Sequence, residues 1–206
     1  MDSLAVMAAY TVLFCIHFLQ SRAGTAHWEE LHTPTAAALL ASGYPWDRLA
    51  SLQYQPFCGG CTAETLAIYP SMVALGSSLA VWKLIPLSFG LAIVVLVMHI
   101  ARQISGNTAA RIAGLCLLFA PSFYIDNRMI AWGNHFEIAA VIMIKICLWV
   151  RWMRGHQPRA ALGFGMASGL GFWFCYSSGV VIPVLIILWC RSHRLAVWLG
   201  QLQRVA

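Results

Sequence analysis

Two adjacent carboxylates, Glu29 and Glu30 in His27-Trp28-Glu29-Glu30, are the first residues of this chain whose types and spacing can do chemistry. A carboxylate in low-dielectric surroundings can hold a raised pKa and act as a general base, or it can bind a divalent cation. Sequence neighbours do not share a helix or strand face, so one acid can turn into a cleft while the other meets a cation or a backbone amide. A second group lies in Tyr124-Ile125-Asp126-Asn127-Arg128 and the following run to Asn134-His135-Phe136-Glu137. Arg128 can grip an anion with two parallel N–H donors, and His135 can donate to a phosphate or ligate a metal. A purely local reading is equally open, with Asp126 paired to Arg128 and Glu137 supporting a helix start through the dipole. A third group is Cys58-Gly59-Gly60-Cys61. In an oxidising compartment this CxxC favours a disulfide, because no second CxxC and no βαβ pattern accompanies it to support zinc or redox chemistry.

The elements that must position these groups are apolar helices. The chain has 206 residues, of which 60% are hydrophobic and 10% charged, against about 25% charged in an average soluble domain. Its apolar blocks approach the ~20 residues that cross a ~30 Å hydrocarbon core, and no sustained period-2 alternation suggests a transmembrane barrel. The expected fold class is therefore all-α, a polytopic transmembrane bundle of about six spans. These are placed at 4–19, 85–100, 108–121, 136–150, 160–173 and 179–190. Lacking an early basic region, since Asp2 is the only charge before it, the first block reads as a membrane anchor rather than a cleaved signal peptide. Five cysteines, Cys15, Cys116, Cys147, Cys175 and Cys190, fall within spans and read as small apolar residues.

Charge gives the bundle a direction. With the N-terminus cytoplasmic, Arg102, Arg111, Arg151, Arg154, Arg159, Arg191, Arg194 and Arg204 all fall inside, and Arg22, Arg48 and Arg128 outside, as the positive-inside rule requires. The acidic residues Glu29, Glu30, Asp47, Glu64, Asp126 and Glu137 gather at the outer face. The net charge of +6 is thus a topological signal and implies no nucleic acid.

The segment 20–83 is an external loop too long for a mere connector. Thr33-Pro34 reads as the cap and early proline of a short helix ended by Ser42-Gly43-Tyr44-Pro45. The stretch 67–82 is apolar but broken by Pro70, Gly76 and paired serines, which fits an interfacial or an obliquely inserted segment. Trp82 and Lys83 suit the headgroup region, and Lys145 is expected to snorkel to the inner interface. Gly106-Asn107 forms a tight turn and 154–159 a basic one. Gly163, Gly165, Ala167, Gly169 and Gly171 would let a neighbouring helix approach. No phosphate loop, dinucleotide fingerprint or HExxH zinc motif occurs.

The order of features resembles the N-terminal part of the GT-C class of polytopic glycosyltransferases. That class includes the protein O-mannosyltransferases and the lipid A aminoarabinose transferases. The resemblance runs from the acidic motif at Glu29-Glu30 and the short helix to Gly43-Tyr44-Pro45, through Leu75-Gly76-Ser77-Ser78 and Trp82-Lys83-Leu84-Ile85-Pro86-Leu87. It continues in Ala101-Arg102-Gln103-Ile104-Ser105-Gly106 and Ala120-Pro121 before the Asp126 loop. The family's acidic motif is Asp-Glu or Asp-x-Asp, and here it is Glu-Glu.

The resemblance implies transfer of a sugar from a polyprenyl-phosphate carrier to an acceptor on the outer face by inverting displacement. Glu29 or Glu30 would be the base, with Arg128 and His135 near the lipid-linked phosphate. A divalent metal is left open, because only some members need one. Members also have about twice as many spans, so this chain is expected to be a truncated form, a fragment or a reduced relative. A non-catalytic membrane subunit bound to a membrane-protein partner is the alternative, and a small-solute transporter the third.

Overall fold

The computed structural model describes residues 3–20, 30–52, 59–133, 136–155 and 157–202, and within these the chain is helical with no strand. Helix α1 spans Ser3–Gln20, α2 His32–Ala41, α3 Gly59–Leu75, α4 Leu79–Trp82 and α5 Leu84–Leu118. They are followed by α6 at Ser122–Asn127, α7 at Glu137–Gly155, α8 at Pro158–Phe174 and α9 at Val181–Leu202, with 3-10 turns at Trp46–Leu52 and Tyr176–Val180.

Helix α5 is two arms rather than one rod. Gly106 sits at φ 84°, a left-handed conformation that ends one helical run and starts another. The arms fold against each other, since a Cβ at Gly114 would meet Met98 Sδ and the methyls of Val6. The Gly106-Asn107 turn expected from the sequence is thus present. Val6, Tyr10 and Phe14 of α1 pack with Val94, Met98, Ala110 and Leu118 of the two arms to form one core. Among the described residues, two helical stretches are long and apolar enough to cross a bilayer, Ser3–Gln20 and Leu79–Leu118.

The loop between α1 and α5 is largely helical and folds back onto the bundle. Ala36, Ala37 and Leu40 bury one side of α2, and Ala37 joins Ile68, Met72, Val81, Ile85 and Ala131 in a second core. The segment 67–82 therefore belongs mostly to α3 and α4, with Met72 and Val81 buried against the bundle. Helices α5, α7 and α8 pack in series. Gly163 and Gly171 abut α7 side chains, whereas Gly165 and Gly169 face open space. On α8 the row Leu162, Met166 and Leu170 is exposed, as are Val184, Ile186, Ile187 and Leu188 on α9. Apolar side chains turned outward at helical spacing suit a lipid solvent.

Candidate functional site

The site is built where α2, α3, α5 and α7 begin. Glu30 occupies the turn just before α2 and is completely buried, a position that an isolated carboxylate could not hold. Its partner is Lys83, at the turn between α4 and α5, whose ammonium donates to the Glu30 carboxylate and, at 2.7 Å, to the Met129 carbonyl. Lys83 is 5% exposed. It was expected among lipid headgroups, but a buried acid from the loop covers it.

Glu64 and Glu137 form the next layer, both at zero exposure. Glu137 opens α7, and its Oε1 accepts from the Trp132 amide at 3.2 Å. Glu64 lies on α3, and its Oε2 accepts from the Thr33 hydroxyl at 3.4 Å. Thr33 therefore does not act as the expected helix cap, and α2 has no side-chain cap. Its carbonyl instead accepts from Thr65 Oγ1 at 3.4 Å, which ties α2 to α3. Glu64 Oε1 and Glu137 Oε2 have no hydrogen-bond partner among the described residues. Burial first, and the neighbouring Glu137 carboxylate second, hold the Glu64 carboxyl well above the usual range, outweighing the Gly133 amide and Thr33.

Close backbone contact brings these acids together. A Cβ at Gly60 would stand 1.6 Å from the Gly133 carbonyl oxygen, so the start of α3 can lie on the loop before α7 only with glycine there. The Gly60 that the sequence offers as part of a CxxC is thus a packing device. The Cys61 sulfur is in a disulfide, whereas Cys58 lies outside the described residues, so the expected pairing of the two remains a proposal. Cys15, Cys116, Cys147, Cys175 and Cys190 are free thiols.

Arg128 follows α6 and is 2% exposed. Its guanidinium lies 4.7 Å over the Tyr10 ring, a cation–π contact, and Nε and Nη1 have no hydrogen-bond partner among the described residues. It borders a cavity of about 160 Å³ lined by Leu13, Ile16, Leu118 and Ile125, with His17 and Gln20 as the other polar groups. A mostly apolar wall ending in a buried cation suits an amphiphile with an anionic head. Asp126 does not pair with Arg128. It is exposed, and it meets His17 of α1 at 3.4 Å.

Of the residues the sequence nominates, Glu30, Arg128 and Glu137 line this buried region, and Asp126 stays at its edge. Glu29 and His135 lie outside the described residues. Sequence reasoning missed Lys83, and it counted Glu64 only as one more outer acid. A lysine directly before an apolar span is such a common boundary signal that only its distant partner Glu30 reveals its role.

Comparison with known proteins adds one result. The model of a family described as dolichyl-phosphate-mannose-protein mannosyltransferase matches residues 67–202, a range that takes in Lys83, Arg128 and Glu137. No curated protein and no solved structure matches.

Proposed function

Because the chain belongs to the dolichyl-phosphate-mannose-protein mannosyltransferase family, we propose that it transfers a sugar from a polyprenyl-phosphate carrier to an acceptor hydroxyl on the outer face of a membrane. In this reading the chain crosses the bilayer about six times, N-terminus cytoplasmic, with 20–83 outside. The observation that carries it is the Arg128 cavity, with its apolar wall and buried guanidinium. The apolar wall takes the isoprenoid and the guanidinium takes the phosphate.

The chemistry is a displacement at the sugar's anomeric carbon. Glu29 or Glu30 accepts the proton of the acceptor hydroxyl, whose oxygen bonds to that carbon as the carbon–oxygen bond to the phosphate breaks. The polyprenyl phosphate leaves with added negative charge, which Arg128 and His135 balance. Lys83 fixes the direction of the Glu30 carboxylate through its ammonium. Glu64 and Glu137 are buried close to each other, and they are the carboxyl groups that would hold a divalent metal if one were bound. Among the described residues, no group of three or more histidine, cysteine or acidic side chains is placed to hold one.

The test is Glu29→Gln and Glu30→Gln, singly and together, in the full chain in membranes supplied with a polyprenyl-phosphate sugar. Loss of a proton acceptor costs about 10²–10⁴ in rate. One single variant should fall by that factor while the protein stays folded. Transfer that survives in the double variant sinks the assignment.

A further inference from the structure

The opposite end of the bundle carries a second cavity, of about 240 Å³, lined by Gln103 of α5, Arg151, Arg154 and Gly155 of α7, and Gln157 before α8. It is remote from the site described above, since Arg154 lies seventeen residues along α7 from Glu137, roughly 25 Å at 1.5 Å per residue. That separation is close to the thickness of a ~30 Å hydrocarbon core, so the cavity stands at the level of the other leaflet's headgroups.

Among the described residues no acid stands at this end to balance its charge. No aspartate or glutamate occurs between Glu64 and Asp126, and none follows Glu137. Glu30 before α2 and the acids of α3, α6 and α7 all sit at the far end. Both arginines are exposed, and among the described residues neither is in an ion pair. The side chains around them are held in place. Gln103 is hydrogen-bonded to the His99 ring at 2.8 Å, and the Gln157 side chain lies against Gly155. One turn toward the membrane, Trp149 stacks edge-on with Trp152 at 5.3 Å and lies 5.6 Å from Phe164. Aromatic rings of this kind mark the headgroup boundary.

We propose that this cavity binds the phosphodiester headgroup of an anionic lipid. The two guanidiniums, three residues apart on the last turn of α7, take the phosphate oxygens, and the carboxamide of Gln157 takes headgroup hydroxyls. Beside it the half-buried Trp152 and Phe164 pack on the upper acyl chains, with Trp149 buried behind them. A soluble phosphate would offer the same oxygens, but not the acyl chains that the adjoining aromatic surface covers. Basic recesses between membrane helices on the cytoplasmic side receive anionic headgroups for these reasons.

The test uses the full chain in neutral detergent, with phosphatidylglycerol, phosphatidylcholine or inorganic phosphate added, and follows thermal unfolding. Phosphatidylglycerol should raise the midpoint of the native chain and of Arg191→Gln, whose exposed arginine lies outside the cavity. Arg151→Gln/Arg154→Gln should bind it roughly thirtyfold more weakly, from about a factor of five for each arginine lost, with an unchanged midpoint in phosphatidylcholine. An equal response in native and double variant overturns the proposal. So does an inorganic phosphate response as large as that to phosphatidylglycerol. Native mass spectrometry of the unaltered chain decides the matter if the double variant does not fold. Phosphatidylglycerol should stay bound at energies that strip phosphatidylcholine, and equal retention would refute the site.

Discussion

Lys83 and Arg154 are both cations in a chain that is 60% hydrophobic, and the bundle treats them in opposite ways. Lys83 is buried, ion-paired to Glu30 and bonded to the Met129 carbonyl. Arg154 is exposed, at an end of the bundle where no described acid stands. A charge taken out of both water and lipid headgroups must bring its partners with it, and here the partners come from residues 53 and 46 positions away. A charge left at the surface takes no partner from the described residues and stays open to an anion from outside. The difference separates a cation neutralised within the fold from one available to a ligand.

The largest effect that would break this comparison is at Lys83. Lys83→Met leaves Glu30 buried without its cation, which costs about 3–5 kcal/mol. We expect loss of transfer together with a lowered unfolding midpoint. Pairing it with Glu30→Leu should restore much of the stability and none of the activity. If the single variant unfolds at the native temperature, the ion pair is not what holds the loop to the bundle.

Arg128 comes next. Arg128→Lys keeps the charge but loses the planar fork and much of the contact with Tyr10. Transfer should fall about 10–100-fold in kcat/KM, the order of a lost strong transition-state contact, mostly through a raised KM for the polyprenyl-phosphate donor. A change confined to kcat would move Arg128 away from donor binding.

Glu64 gives a smaller, pH-dependent effect. Its carboxyl binds a proton more tightly in the folded chain than the ordinary value of 4.5 allows after unfolding. Below about that pH both states are protonated and nothing is lost. As pH rises above it, the unfolded chain releases the proton first, so stability declines until the folded carboxyl also ionises. Glu64→Gln cannot ionise and should flatten that decline, which thermal unfolding from acid to alkaline pH would show. A native profile that rises through this range would contradict the burial of Glu64 beside Glu137.

How far the sequence reaches follows the same division. Apolar blocks, the Gly106 turn and the short α2 helix ending at Ser42 are local or compositional, and all are legible. Glu30, Arg128 and Glu137 stand out because an ionisable group in an apolar chain is expensive. Their arrangement is not legible. The bond from Thr33 to Glu64, the approach of Gly60 to Gly133 and the closure of Lys83 on Glu30 depend on a loop folding back over the bundle. No periodicity encodes that. Asp126 illustrates the converse, since two positions from Arg128 it invites a local pair, yet it reaches His17 on α1 instead.

Lys145 is the case that sharpens the comparison most, through an effect confined to stability. Snorkelling to the inner interface was the expectation, but its ammonium is fully buried and turned toward the Glu137 end of α7, donating to the Ser178 hydroxyl at 2.8 Å and carbonyl at 2.9 Å. A side chain on a helix leans toward the N-terminus, and for α7 that is the end at Glu137, so Ser178 in the 3-10 turn after α8 is within reach. Lys145 thus follows the rule for buried cations with neutral oxygens in place of a carboxylate. Ser178→Ala removes one acceptor of a charged donor and should cost about 1.5–3 kcal/mol, leaving the KM for the polyprenyl-phosphate donor unchanged. Unfolding midpoints and donor titrations on the same preparation separate the two outcomes. A raised KM without a fall in stability would mean that Lys145 serves the outer site rather than the packing of α7, α8 and the turn between α8 and α9.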